Sequence, residues 1–263
     1  MQQSPASQST GGNGQALHPD TVAELRQICK TYYKPDGTVL VEALKNVDLC
    51  IHRGEYTAIM GASGSGKSTM MNILGCLDPP TTGMYLLDGK DVARMDDNEL
   101  SRVRGRKIGF VFQAFNLISE LNIVDNVLVP LFYQGVSKHE RRERAIEKLT
   151  MVGLGDRLTH RPKELSGGQQ QRVAVARALV TNPAIIMADE PTGNLDSRTG
   201  QEILELIDDL HAQGITIIVV THDQRVADRC ERIIWLRDGV IESDKCGGKT
   251  ARAQPQAGAA AAS

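Results

Sequence analysis

The nine residues from Gly61 to Thr69, GASGSGKST, constrain this chain more than any other stretch. They fit the spacing G-x-x-x-x-G-K-[ST] and lie between an apolar run, Tyr56-Thr57-Ala58-Ile59-Met60, and a helix-like segment from Ser68 to Leu74. A strand feeding a glycine-rich turn that opens a helix is a phosphate cradle. Gly61, Gly64 and Gly66 admit backbone angles and close approaches that a Cβ blocks, so successive N–H groups can converge on phosphate oxygens. The helix N-terminus adds partial positive charge at the same place. In such a loop Lys67 reaches the β- and γ-phosphates and Ser68 ligates Mg²⁺. The plainer reading, a Gly/Ser-rich turn without a ligand, leaves Lys67-Ser68 at this spacing unexplained.

A chain of 263 residues has room for one large α/β domain with subdomains. The formal net charge of -2 carries no global basic footprint of the kind that marks a nucleic-acid binder, and no nucleic-acid partner is expected. Cys29, Cys50, Cys76, Cys230 and Cys246 form no C-x-x-C pair, which argues against a disulfide framework or a zinc site and suits a reducing cytosol. No run approaches the roughly 18–20 apolar residues that span a bilayer. Residues 1–21 read as a disordered polar leader and 244–263 as a flexible Ala/Gly-rich tail, leaving a domain over 22–243.

Ahead of the phosphate loop, Leu25, Ile28 and Val39 to Leu44 predict short strands around the turn Lys34-Pro35-Asp36-Gly37, followed by an alternating Val47, Leu49, Ile51. This is an antiparallel β layer in front of the ligand site. It carries Tyr32 and Tyr33, either of which offers a ring for stacking on a purine, the alternative being an ordinary strand aromatic. Met84 to Leu87 predicts a further strand, Asn98 to Arg104 a short helix, and Lys107 to Phe112 a buried strand ending at Gln113. From about 114 to 165 the pattern turns helical, with Ala145, Ile146, Leu149 and Val152 at helical spacing opposite a charged face.

Then Leu165-Ser166-Gly167-Gly168-Gln169 leads into a helix predicted over Val173 to Leu179, a second helix start suited to an anion. The strand Ala184 to Ala188 is apolar on both faces and delivers Asp189-Glu190 at its C-terminal end, where open α/β sheets keep their chemistry. Asn194-Leu195-Asp196-Ser197 caps the helix Arg198 to Ala212, and the strand Ile215 to Val220 ends at Thr221-His222-Asp223. Arg232 to Leu236 and Gly239 to Glu242 predict a closing hairpin.

The order GASGSGKST, Gln113, LSGGQQQR, IIMADEP, NLDS and THD resembles the nucleotide-binding subunits of ABC transporters over essentially all of residues 22–243. LSGGQ is the specific part, and DEPTGNLDS with FVFQAFNLISELNIVDNVLVPL is similar to the macrolide-export, lipoprotein-release and cell-division branch. The resemblance implies an α/β P-loop NTPase core with a mostly parallel sheet, an antiparallel β subdomain and an α-helical subdomain at about 114–165. It implies that Gly61, Ala62, Ser63, Gly64, Ser65, Gly66, Lys67, Ser68 and Thr69 hold ATP, with Tyr32 or its rival Tyr33 on the adenine. It further implies Mg²⁺ at Ser68, Gln113 and Asp189, Glu190 polarising the attacking water, and His222 on the γ-phosphate. Ser166, Gly167, Gly168 and Gln169 would reach the ATP of a second copy of the chain, with Asp196 coupling the two sites. The implied partner is a transmembrane permease subunit, which would place the chain on the cytoplasmic face of a membrane. A signalling subunit acting through a membrane protein on cell division or cell-wall hydrolysis uses the same motifs.

Overall fold

The apolar runs assemble into two sheets that share one wall with the phosphate loop. The structure, a computed structural model, describes residues 20–247. Of the expected leader 1–21 and tail 244–263, residues 1–19 and 248–263 lie outside the described residues, while Thr21 already opens the first strand and the last strand runs on to Cys246. A long hairpin comes first, β1 (Thr21–Tyr33) and β2 (Val39–His52), turning through Lys34–Gly37. Val39 to His52 is one strand where the pattern predicts separate short ones. Gln27 and Asn46 take left-handed angles (φ 49° and 46°) and absorb the offset as irregularities in the pairing, so hydrogen bonding continues past them.

Next come β3 (Tyr56–Gly61), α1 (Lys67–Leu74), β4 (Thr82–Leu87), β5 (Lys90–Asp91), α2 (Asp97–Lys107) and β6 (Ile108–Phe112). The helical stretch contains α3 (Ile123–Tyr133), α4 (Lys138–Met151) and a single 3₁₀ turn at Pro162–Glu164. Asn122 and Ser137 cap its two helices. Buried Asn126 pins the preceding loop, accepting from the Ile118 amide at 2.7 Å and donating to the carbonyls of Ile118, Leu121 and Asn122. The helix α5 spans Gly167–Leu179, starting six residues before the predicted Val173. A capping box explains the early start: Ser166 Oγ accepts from the Gln169 amide while Gln169 Oε1 accepts from the Ser166 amide. The chain finishes with β7 (Ile185–Asp189), α6 (Ser197–Ala212), β8 (Ile217–Val220), the single turn α7 (Gln224–Ala227), β9 (Arg232–Arg237) and β10 (Val240–Cys246). Strand β10 continues past residue 243, held by the Asp244 carboxylate on the Arg232 guanidinium at 2.6 and 2.7 Å.

The larger sheet has the order β10-β9-β3-β8-β7-β6, parallel except for the β9–β10 hairpin. The smaller sheet, β2-β1-β4-β5, is antiparallel throughout. Because strand side chains alternate between faces, each central strand supplies both cores. Ala58, Met60, Ile186, Ala188 and Val219 face the core built with α3 to α6. Ile59, Ile185, Met187, Ile218 and Val220 face the core built with α1 and the antiparallel layer. The fold is thus a mostly parallel α/β core with an antiparallel β layer and a helical subdomain. No helix among the described residues is long and apolar enough to cross a membrane.

Candidate functional site

The C-terminal ends of the parallel strands converge on the phosphate loop. Gly61 ends β3 at φ 151°, where a Cβ would collide with the Leu236 carbonyl, and Gly66 precedes α1 at φ 105°, where a Cβ would stand 2.7 Å from the Ala43 carbonyl. Backbone packing on two sides therefore sets the loop. Helix α1 begins with no side-chain cap and no acidic residue in its first turn, which leaves its N-terminal charge for an external anion. Lys67 Nζ donates to the carbonyls of Gly61 and Ala62 at 2.7 and 2.8 Å, which holds the ammonium over the loop.

A 420 Å³ cleft opens beside this loop, lined by Gly64, Gly66, Lys67, Ser68 and Thr69 on one side and by Tyr32, Val41, Ala43 and Lys45 on the other. Tyr32 is anchored from behind. Its hydroxyl donates to Asp78 Oδ2 at 2.9 Å, the Lys30 ammonium lies 5.0 Å from the ring centroid, and Lys30 itself donates to Asp78 Oδ1 at 2.5 Å. Burial, then the bond to Asp78, raise the Tyr32 phenol above its ordinary range. Tyr33 is 55% exposed at the hairpin end, away from these contacts. Asp78, read from the sequence as part of a turn, has this second task that no local pattern announced.

Asp189 and Glu190 emerge from β7 beside Lys67. Burial first, and then the neighbouring Glu190 charge, raise the Asp189 carboxyl above the usual range, while Lys67 opposes them. Glu190 has φ 43°, and its carboxylate is gripped on both oxygens. Oε2 accepts from the Thr221 hydroxyl at 3.0 Å; Oε1 accepts from the His222 amide at 3.0 Å and lies 2.5 Å from His222 Nδ1. An ionised carboxylate cannot donate, so Nδ1 carries the proton of that bond and Nε2 is left as the outward nitrogen. Thr221 is fully buried, and its hydroxyl also accepts from the Asp223 amide at 3.0 Å.

Gln113 extends from β6 and exchanges two bonds with Asn194: its amide donates to Asn194 Oδ1 at 3.1 Å, and Asn194 Nδ2 donates to the Gln113 carbonyl at 3.0 Å. The sequence shows Asn194 as part of a helix cap, and the pairing is visible only in the fold. Gly193 lies beneath this pair, where a Cβ would stand 2.6 Å from Gln113 Nε2.

The remaining expected residues stand apart from the cleft. Ser166 and Gly167 open α5 next to Phe115 and Leu195, and Gly168 packs on Thr199 in the first turn of α6. Asp196 caps that helix, accepting from the Arg198 and Thr199 amides at 3.1 Å, and its bonds with Thr199 hold the carboxyl below its ordinary range. Two groups thus exist: the cleft with the strand-end carboxylates, and an outward surface formed by the starts of α5 and α6. A larger groove of 700 Å³ lies elsewhere, between α2, α3 and α5, lined by Leu77, Arg102, Arg106, Phe110, Tyr133 and Arg177.

The description of the ABC transporter family matches residues 44–193, from the strand behind the loop to the turn after Glu190. The chain belongs to the ABC transporter family. It is 55% identical over 220 residues to the macrolide export ATP-binding/permease protein MacB of Brucella melitensis biotype 1, a match covering 84% of this chain and 34% of that protein. The chain therefore spans about a third of the length of that relative. It is also 55% identical over 221 residues to an ABC transporter ATP-binding protein of Thermotoga maritima, covering 84% of this chain and 94% of the other. Among solved structures, the ATP-binding cassette MJ0796, a dimer in a post-hydrolysis state bound to ADP and Pi, superposes with a TM-score of 0.76 at 50% identity, covering 85% of this chain and 98% of that one. The stretch matched by the family description holds the phosphate loop, the strand-end carboxylates and the start of α5.

Proposed function

We propose that two copies of this chain close head to tail around two ATP molecules and drive a separate transmembrane permease of the export or lipoprotein-release type. The observation that carries this reading is the division of the site. The cleft beside Lys67 lies on one part of the surface, while Ser166–Gln169 and Asp196 form another, turned outward, so a complete site needs a second copy to bring that surface over the phosphates.

In this reading adenine stacks on Tyr32, and residues 61–69 hold the phosphates through backbone amides, Lys67 and the start of α1. The residues fit Mg²⁺ as well. Among the described residues no cluster of three or more His, Cys, Asp or Glu could hold a metal unaided, so Ser68, Asp189 and Gln113 would share it with phosphate oxygens, as suits a hard ion that keeps few protein ligands. Bound there, the ion supplies charge neutralisation on the phosphates. Glu190 accepts the proton of the attacking water, and Thr221 with the His222 amide fix the direction of its lone pairs. His222, oriented by Glu190 through Nδ1, would donate from Nε2 to the γ-phosphate.

The membrane partner is supported by the name of the Brucella relative, which combines ATP-binding and permease. Its being a separate chain is supported by the Thermotoga protein, matched over 94% of its length. The groove beside α3, with Tyr133 83% exposed at its edge, is the surface suited to that contact, and it would place the subunit on the cytoplasmic face of the membrane. Signalling through a membrane protein to cell division or cell-wall hydrolysis uses the same ATP cycle.

The test is Glu190→Gln. Expected are retained ATP binding, loss of phosphate release, and an ATP-dependent dimer on size-exclusion chromatography. Hydrolysis at the wild-type rate would overturn the base assignment; a variant that binds ATP yet stays monomeric would overturn the closed dimer.

A further inference from the structure

Gln171 lies in the second turn of α5, fully buried, and its side chain spans three parts of the site. Its amide Nε2 donates to the Pro191 carbonyl at 2.6 Å and, more weakly, to the Phe112 carbonyl at 3.4 Å. Pro191 directly follows Glu190, and Phe112 directly precedes Gln113. The orientation of the amide is fixed, because a flipped side chain would aim its oxygen at two carbonyl oxygens. In this orientation Gln171 Oε1 is buried with no partner among the described residues, a costly arrangement for a side chain needed only as filler.

Pro191 has no N–H, so its carbonyl is its one backbone hydrogen-bonding group, and Pro191 is buried. The residue before it, Glu190, holds a left-handed angle that a non-glycine residue keeps only when its surroundings enforce it. On one side the enforcement comes from β8, where the Val220 carbonyl accepts from the Glu190 amide at 2.9 Å. On the other side it comes from Gln171. We propose that Gln171 is a positioning residue for hydrolysis: by holding the Pro191 carbonyl from helix α5, it makes the direction of the Glu190 carboxylate depend on the seating of the helix that begins at Ser166. This rests on Glu190 being the group that activates water. A surface that caps a neighbour's ATP is thereby mechanically joined, within one chain, to that chain's own hydrolytic carboxylate.

The experiment compares Gln171→Met and Gln171→Glu in the full chain, measuring kcat, KM for ATP and bound nucleotide per chain. Methionine fills the same volume and removes the orphaned oxygen together with the donor, so the fold is expected to survive. The loss of one strong hydrogen bond lowers kcat by about tenfold at unchanged KM and one site per chain. Glutamate, kept neutral by burial and by the two facing carbonyls, can still donate to the Pro191 carbonyl and retains more of kcat than methionine. Wild-type kcat per bound site in both variants would overturn the proposal. So would equal losses in the two variants, which mark a packing role, or a methionine variant that no longer binds ATP, which marks a residue holding the fold. Glu190→Gln run in parallel separates the two readings. If it hydrolyses ATP normally, the base assignment fails; if it is inactive while both Gln171 variants turn over normally, only the present inference fails.

Discussion

Replacing Thr221 by valine isolates one bond of the Glu190 carboxylate at nearly constant volume. The hydroxyl is fully buried and donates to Oε2 at 3.0 Å, while its oxygen accepts from the Asp223 amide at 3.0 Å. A hydrogen bond to a charged acceptor is worth about 1.5–3 kcal/mol, and each 1.36 kcal/mol in a barrier is tenfold in rate. If the carboxylate must stay aimed through the transition state, kcat falls by roughly ten- to a hundredfold. ATP affinity stays the same, because Thr221 lies at the end of β8 and not among the residues lining the cleft with Tyr32 and Lys67. Phosphate release at saturating ATP gives kcat, and fluorescence of a bound nucleotide analogue gives affinity. Thr221→Ser keeps the donor and should restore most of the rate. A valine variant with wild-type kcat, or a serine variant as slow as the valine one, would refute the reasoning.

Tyr32→Ala should weaken ATP binding by about 1–3 kcal/mol, the usual value of one base–aromatic stack, while Tyr33→Ala leaves it unchanged; titration with ATP decides which ring is used. Gly193→Ala places a methyl 2.6 Å from Gln113 Nε2 and should displace the Gln113–Asn194 pair, so ATP still binds while phosphate release slows, most of all at limiting Mg²⁺. Asp88→Asn tests a charge alone, since asparagine suits the left-handed φ of 53° at that turn. Bonds from Lys107, followed by those from Arg53, hold the Asp88 carboxyl below its ordinary range. A lowered folded pKa stabilises above the unfolded value and ceases to do so as pH falls through the folded one. The variant should therefore melt a few degrees lower at pH 7. In thermal melts the gap should narrow as pH falls through and below the ordinary aspartate range, and a gap that does not change with acidification would point to lost packing instead.

The parts of the site carried by contiguous residues were legible in the sequence. Lys67, Ser68, Asp189, Glu190 and His222 sit at strand ends or in a loop whose shape follows from local spacing, so their convergence follows once the strands are parallel. The long β2 was not legible, because it survives through left-handed Asn46 and Gln27, which in sequence look like breaks. The start of α5 was also hidden: two glycines in succession disguise a helical turn secured by the Ser166–Gln169 box. Asp78 behind Tyr32 and Asn194 beside Gln113 are contacts between segments 46 and 81 residues apart, and spacing holds no record of them.

The crowding around Gly61 and Gly66 also bears on how the chain comes to bind anything at all. One wall of the phosphate loop is the Leu236 carbonyl, and the Gly239 amide donates to Ser65 at 3.1 Å while the Gly239 carbonyl accepts from Lys45. These contacts reach across more than 170 residues, the sort of distant closure that a folding chain completes slowly. During synthesis the glycine loop emerges early yet lacks that wall until the β9–β10 hairpin has left the ribosome. Nucleotide therefore meets a finished cradle only on a nearly finished chain, and a chain cut short before Leu236 carries the motif without the site.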